Sequence, residues 1–256
     1  MINRSTIRKF GFDLFHEFGD YVMLLRKTIS RPDNIKMFWK EFMKQCKIIG
    51  VESVPIVFII SFFIGMVMTL QAAYMLEMPM VPRSIIATIV RDTVMLELAP
   101  SGVGAIIACV VGFKITSELG YMRIYEQIDA LKVMGVNTYS YLITPKILAT
   151  LVTVPALIIY SITLSMVGGY VISLMTTALS PNDFVTGLII DFKPFTLWVA
   201  IIKIMVFSFV ISSISCFFGY TFYGSTVELS KRCTFTVSLN CIALLVFDYI
   251  ITAAML

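Results

Sequence analysis

The most distinctive residue in this sequence is Glu97, an ionisable side chain inside a long apolar segment. Charged groups within a membrane span are costly, so each is by default a candidate functional group. Pro100 follows three positions later and has no N–H to bond the carbonyl of Leu96, which weakens the helix beside Glu97. Two interpretations stay open. The carboxyl group lines a polar cavity, or it is protonated or hydrogen-bonded to a neighbouring helix and only fixes packing.

A second candidate is the charged segment between Ser117 and Val136, which separates two long apolar ones. Its apolar residues recur every three positions, close to the helical period; they are Leu119, Met122, Tyr125, Ile128 and Leu131. We predict one helix with an apolar stripe, bracketed by Gly120 and Gly135. Such a helix either connects two spans or presents its charged side to a soluble partner.

Other kinds of chemistry find no support in the sequence. It contains no G-x-x-x-x-G-K-[ST], no G-x-S-x-G and no H-E-x-x-H pattern. The one histidine, His16, has no metal-ligand companion, and the five cysteines are scattered without a CxxC. We therefore predict no catalytic residue, no metal site and no cofactor in this chain. Energy for any active process must therefore enter from elsewhere.

Composition indicates an integral membrane protein. Of the 256 residues, 58% are apolar and only 14% are charged, and the mean hydropathy is +0.90. A soluble domain of this size could not bury so much apolar surface. The net charge of +4 gives no indication of nucleic-acid binding.

We predict an all-α polytopic fold with two parts. Residues 1–50 hold two amphipathic stretches, typical of helices in the membrane interface, and no signal-peptide pattern. Residues 51–256 form the membrane domain, whose five predicted spans are 54–76, 84–115, 147–179, 195–223 and 234–256. About 20 residues cross the roughly 30 Å of hydrocarbon, so the second and third spans must tilt, kink or extend into water.

The basic residues predict the orientation. Ten of the twenty Lys and Arg precede residue 50, and a cytoplasmic N-terminus puts sixteen of the twenty on the cytoplasmic side. Five spans then put the C-terminus outside and the segment 117–136 in the cytoplasm. Small residues four positions apart predict close helix packing within the spans; they are Ser161, Ser165, Gly169 and Ser173, then Ser208, Ser212 and Cys216.

The wording of the central segment adds a family resemblance. From Glu118 to Val136 it reads E-L-G-x-M-R-x-x-E-Q-I-D-A-L-x-V-M-G-V, which closely resembles the signature of the MlaE/YrbE family. Further likeness lies in Glu97-Leu98-Ala99-Pro100 and Pro145-Lys146. Members of that family are permease subunits of ABC transporters that move lipids together with MCE-domain proteins.

The resemblance implies roles for individual residues. The central segment would be a coupling helix that docks on a separate ATPase through Glu118, Gly120, Arg123, Glu126, Gln127, Asp129 and Gly135. Glu97, together with Leu70, Gln71 and Tyr74 at the end of the first span, would line a lipid-binding cavity.

It also implies an assembly. The permease would be a homodimer in the inner membrane of a Gram-negative bacterium, with an ATPase that binds ATP and Mg²⁺, an MCE-domain protein and a small STAS-type accessory subunit. It would move phospholipids between the inner and outer membranes.

Two departures from the family pattern lie near the cytoplasmic side. Val110 occupies a position that is often basic, and Ser230-Lys231-Arg232-Cys233-Thr234 replaces G-R-A-[ST]-T. Two other hypotheses remain: an ion-coupled secondary transporter of an amphiphilic substrate that uses Glu97 and Asp248, and a membrane scaffold that transports nothing. No inverted repeat supports the first of them.

Overall fold

The structure is a computed structural model that describes residues 19–28, 35–75, 84–176, 179–190 and 192–255. Within these residues all regular structure is helical. In chain order the helices are α1 (19–28), α2 (Ile35–Ile49), α3 (Val54–Met75), α4 (Ser84–Thr93), α5 (Gly104–Ile124), α6 (Gln127–Val133), α7 (Thr144–Met175), α8 (Pro181–Ile189), α9 (Pro194–Tyr220) and α10 (Thr226–Met255).

Five continuous helical segments are long and apolar enough to cross a membrane, so the predicted polytopic all-α fold is confirmed. They are Ile35–Met75, Ser84–Ile124, Tyr139–Met175, Pro194–Tyr220 and Thr226–Met255. Several helices extend beyond the predicted spans: the second continues to Ile124, and the fifth begins at Thr226. Hydropathy marks the part of a helix that lies in hydrocarbon, whereas the backbone pattern continues into polar sequence.

The prediction of two amphipathic helices in residues 1–50 can be compared with the structure only in part, because most of residues 1–34 lie outside the described residues. The second amphipathic stretch is the helix α2, which packs along α7. Its apolar stripe faces the bundle, with Ile49 buried and Phe42 and Cys46 packed on the core. Its lysines are exposed. The location of α2 in the membrane interface stays a prediction.

Helices α3 and α7 are in very close contact, as the small residues predict. Ser165 donates a hydrogen bond from Oγ to the carbonyl oxygen of Ser61, at 2.9 Å. A Cβ added at Gly65 would lie 1.9 Å from the carbonyl oxygen of Ser165. Small side chains are therefore what allows the two backbones to approach.

Helix α9 lies at the centre of the bundle, against α5, α7 and α10. Its small residues Ser208, Ser212 and Cys216 are all buried, which confirms their predicted role in packing. The same helix buries Lys203.

Helices α4 and α5 are joined without a break by a π-helical segment, Val94–Val103, which contains Pro100. Wider turns of this kind appear where the regular hydrogen-bond pattern is interrupted, and they are frequent at functional sites. The predicted weakening of the helix beside Glu97 is thus observed.

The contact between α3 and α7 can be tested with Gly65→Ala. The added methyl group would overlap the backbone of Ser165, so we expect a loss of about 1–3 kcal/mol in stability, measured by thermal unfolding in detergent. Gly102→Ala is the matched control, since a Cβ at Gly102 has no atom within 4 Å. Equal stability of the two variants would contradict the packing described here.

Candidate functional site

Three charged side chains from three segments meet inside the bundle. Lys203 of α9 is completely buried, and its Nζ lies 2.9 Å from Glu97 Oε1 and 2.9 Å from Asp248 Oδ1 of α10. We call Glu97, Lys203 and Asp248 the Lys203 cluster. Two carboxylates around one ammonium group compensate a charge that would otherwise be very costly in this environment.

Pro100 explains the position of Lys203. Because the proline has no N–H, the carbonyl oxygen of Leu96 loses its usual partner in the helix. The Nζ of Lys203 donates a hydrogen bond to that oxygen at 3.0 Å. A side chain from another helix thus donates to the carbonyl group that lacks its α-helical partner, and it anchors the π-helical segment to α9.

Glu97 combines features of both interpretations. It is paired with a neighbouring helix, as a packing role requires, yet 42% of its side chain is exposed, as a role in a cavity wall requires. Leu70, Gln71 and Tyr74 are exposed on α3, off the face that packs on α7. The lipid-cavity assignment for these four residues stays a prediction.

A second group of polar residues lies near the other end of α5. Lys146 of α7 is 1% exposed and forms an ion pair with Glu118. The amide of Gln45 in α2, itself fully buried, donates to Glu118 Oε1 at 3.2 Å. We call Gln45, Glu118 and Lys146 the Lys146 cluster. It joins α2, α5 and α7 through Glu118, which was predicted to contact an ATPase.

The single predicted helix over 117–136 is wrong. Residues up to Ile124 belong to α5, and the short helix α6 begins at Gln127. Between them Glu126 has a left-handed backbone, with φ of 55°, which breaks any continuous helix. Gly120 therefore does not bracket a helix; it lies inside α5, where a Cβ would be 2.2 Å from Leu229 of α10. Spacing alone did not reveal this break, since the apolar pattern continues across it.

We call residues 125–136 the coupling segment, after the role that the family resemblance implies and that stays a prediction. Its other predicted boundary, Gly135, is confirmed: with φ of 77° it ends α6. The N–H groups of Gly135 and Val136 donate to the carbonyls of Lys132 and Leu131 at 3.0 and 3.1 Å, which is the Schellman arrangement.

Arg123 attaches the coupling segment to the bundle. It is buried, its Nη1 lies 2.6 Å from Asp129 Oδ1, and its guanidinium group lies 4.2 Å from the ring centre of Tyr223. Hydrogen bonding from Lys132 and the charge of Arg123 hold the pKa of Asp129 below its usual value. Asp129 therefore keeps its charge, and this attachment, at neutral pH and loses it only in acid below the ordinary aspartate range.

The exposed side of the coupling segment is partly apolar. Glu126 and Gln127 are exposed, as are Tyr125, Val133 and Met134, with 66%, 89% and 68% of each residue accessible. The seven residues expected to act together thus divide into two groups. Gly120 and Arg123 are buried, Glu118 is part-buried in its ion pair with Lys146, and Asp129 is engaged by Arg123. The other three, Glu126, Gln127 and Gly135, are exposed and available to a partner.

Arg91 shows why intramembrane charges are hard to interpret singly. It pairs with Asp92 at 2.9 Å. It also donates from Nη1 to the carbonyls of Leu188 and Ile190 at 2.9 and 2.8 Å. These contacts fix the C-terminal end of α8 against α4.

The roles of Lys203 and Lys146 as buried cations that join several helices were not predicted from the sequence. The available signal for Lys203 was one basic residue in the fourth span and two acidic residues, Glu97 and Asp248, in the second and fifth. Opposite charges within different spans are candidates for pairing.

The fold and these clusters define a polytopic helical membrane protein with an exposed coupling segment at one end. The "Permease MlaE" family profile matches residues 42–254. The chain is 30% identical to a "Probable ABC transporter permease protein" of Rickettsia bellii, over 98% of this chain and 95% of that one. It is 25% identical to the "Intermembrane phospholipid transport system permease protein MlaE" of Haemophilus influenzae, over 98% and 96%.

A plant relative matches over a smaller share of its own length. The chain is 27% identical to the chloroplastic protein "TRIGALACTOSYLDIACYLGLYCEROL 1" of Arabidopsis thaliana, over 85% of this chain and 62% of that one. The chain belongs to the MlaE permease family. It is accordingly a transporter subunit rather than an enzyme.

The Lys203 cluster can be tested with Lys203→Met. The change leaves two carboxylates without their cation, and we expect a loss of about 3–5 kcal/mol in stability, seen as a lower unfolding temperature in detergent. Lys193→Met is the control. It replaces the exposed lysine that directly precedes the same helix, and it should change the unfolding temperature little. Similar unfolding temperatures for both variants would contradict the cluster's role.

Proposed function

We propose that this chain is the permease subunit of an ABC transporter that moves phospholipids between the inner and outer membranes. The observation that carries the proposal is the coupling segment. It presents exposed polar and apolar side chains, yet Arg123 attaches it to α5 through Asp129. A soluble ATPase that binds this surface could pull directly on a membrane helix.

In this proposal the energy comes from a separate ATPase, which binds ATP and Mg²⁺. Two copies of the chain form a homodimer, so that closure of two ATPase subunits moves two coupling segments together. Helix α5 transmits the movement, because it runs unbroken from the Lys146 cluster to the π-helical segment beside the Lys203 cluster.

The lipid would enter a cavity near Glu97, Leu70, Gln71 and Tyr74. Three of these side chains are apolar or uncharged and exposed, and Glu97 supplies one charged edge. An MCE-domain protein would exchange lipid on the outer side, and a STAS-type subunit would bind with the ATPase. The chain would lie in the inner membrane with its N-terminus in the cytoplasm. The relative in Haemophilus influenzae, named for intermembrane phospholipid transport, supports this substrate.

The Lys203 cluster favours one other candidate, an ion-coupled transporter in which Glu97 or Asp248 takes up a proton. Such a protein would transport with the purified chain alone, driven by a pH gradient and indifferent to ATP. The exposed coupling segment has no role in that mechanism, which is why we prefer the ABC assignment.

Glu126→Lys tests the proposal. Glu126 is exposed, and no ion pair involving it occurs in the described part of the chain. We expect at least about tenfold weaker ATPase binding, equivalent to ~1.4 kcal/mol, and a matching loss of ATP-dependent lipid transfer in reconstituted vesicles. Arg123→Glu, which breaks the pair with Asp129, should lose transfer as well.

The control is Lys193→Glu, a charge reversal at an exposed position that precedes α9, far along the chain from the coupling segment. It should insert, bind the ATPase and transfer lipid as the unmodified chain does. Normal lipid transfer by both Glu126→Lys and Arg123→Glu would refute the coupling role.

A further inference from the structure

A cavity of about 510 Å³ opens between the end of α9 and the beginning of α10. Its lining combines two cations with aromatic rings and consists of Thr221, Phe222, Tyr223, Glu228, Lys231, Arg232 and Phe235. We call it the basic pocket. It includes Lys231 and Arg232, which lie in one of the two places where the sequence departs from the family pattern.

The guanidinium group of Arg232 packs against an aromatic ring and has no carboxylate partner among the described residues. It lies 4.4 Å from the ring centre of Phe218, and that ring packs edge-on against Phe235, with centroids 5.6 Å apart. Among the described residues no carboxylate lies within ion-pair distance of Arg232 or Lys231. Stacking on an aromatic face fixes the plane of the guanidinium group while its N–H groups remain free to donate.

The one acidic residue in the lining is already engaged. Glu228 Oε2 accepts hydrogen bonds from the N–H of Ser225 at 2.8 Å and from its hydroxyl at 3.2 Å. This capping contact closes the start of α10. Because Glu228 accepts these hydrogen bonds as a carboxylate, it stays charged, and with two cations and one carboxylate the lining of the pocket carries a net charge of +1. Arg232 and Lys231 are the groups that could receive an anion.

The aromatic lining indicates what kind of anion. Phe222, Tyr223 and Phe235 give the pocket an apolar side, and Phe235 and Tyr223 are 53% and 73% exposed. Arginine and lysine together bind phosphate well, arginine through two parallel N–H bonds. A ligand that joins a phosphate to an apolar body fits both sides, and basic residues where a span meets the membrane surface favour lipid phosphates.

We propose that the basic pocket binds a phosphate ester group, supplied by a phospholipid headgroup at the membrane surface. Arg232 and Lys231 hold the phosphate, and the acyl chains lie along Phe235 and the apolar part of α10. Tyr223 borders the pocket and also stacks on Arg123. A ligand in the pocket is therefore connected through Tyr223 to Arg123, the side chain that attaches the coupling segment.

The test uses the purified full-length chain in a mild detergent, titrated with dioleoyl phosphatidylglycerol and followed by native mass spectrometry. We expect Lys231→Gln/Arg232→Gln to retain one lipid fewer per chain, with about thirtyfold weaker binding, because each basic residue near an anionic group contributes roughly fivefold. Lys193→Gln is the control. It removes an exposed lysine that precedes α9, at the opposite end of that helix from the pocket, and should bind as the unmodified chain does.

Two further probes identify the ligand. Dioleoylglycerol, which has no phosphate, should not occupy the site. If inorganic phosphate at millimolar concentration leaves the bound lipid in place, the source is a lipid headgroup. If it displaces the lipid completely, the pocket still binds phosphate, but from a soluble source.

Equal retention of phosphatidylglycerol by the double variant and the control would overturn the proposal. So would a double variant that keeps its lipid and instead loses a copurifying protein, since the pocket would then be a protein contact. Should the double variant fail to fold, Lys231→Glu at its exposed position provides the same comparison. None of these measurements involves ATP or transport, so the result is independent of the proposed function.

Discussion

Two lysine side chains removed from water impose the strongest constraint on this structure. Lys146 and Lys203 have side chains that are 1% and 0% exposed, and a buried ammonium group without a partner costs several kcal/mol. Each is compensated by acidic residues from other helices. Lys203 joins the π-helical segment, α9 and α10, and Lys146 joins α2, α5 and α7. Helices that could otherwise slide against each other in an apolar environment are thereby fixed at two levels.

Helix α5 connects these two levels to the exposed end of the molecule. It begins directly after the π-helical segment, carries Glu118 near its other end and finishes at Ile124, where the coupling segment starts. In the proposed function, a movement of the coupling segment would reach both charged clusters through this one continuous helix. The close contact of α3 with α7 extends the connection to the first span. This arrangement is the physical reason to assign the coupling segment a role in transport.

Much of the fold could be predicted from the sequence, because hydrocarbon leaves few alternatives. A membrane-spanning chain must satisfy its backbone hydrogen bonds internally, so long apolar runs predict helices, and small residues such as Ser165 and Gly169 predict where these pack. The five spans and the interruption at Pro100 follow in this way. Family-specific wording in the segment 118–136 identified the permease family, which the comparisons confirm.

The site was less predictable, since its partners are far apart in the chain. Glu97 meets Lys203, which is 106 positions away, and no local pattern indicates that pairing. The spacing of apolar residues also wrongly predicted a single helix in the central segment. Apolar residues recur every three positions on both sides of Glu126, although the left-handed backbone at Glu126 breaks the helix. From its residue type alone, Glu118 could be an exposed glutamate that contacts a partner protein. The burial of Gln45 and Lys146 around it depends on tertiary packing, which the local sequence does not show.

We propose that this chain works as the membrane part of an ATP-driven lipid transporter. The most direct measurement is to purify it from native membranes in a gentle detergent and identify the bound proteins and lipids by mass spectrometry. We expect an ATPase with Walker motifs, an MCE-domain protein and phospholipid in the same complex. A homodimer that carries no ATPase would contradict it and would favour the ion-coupled transporter.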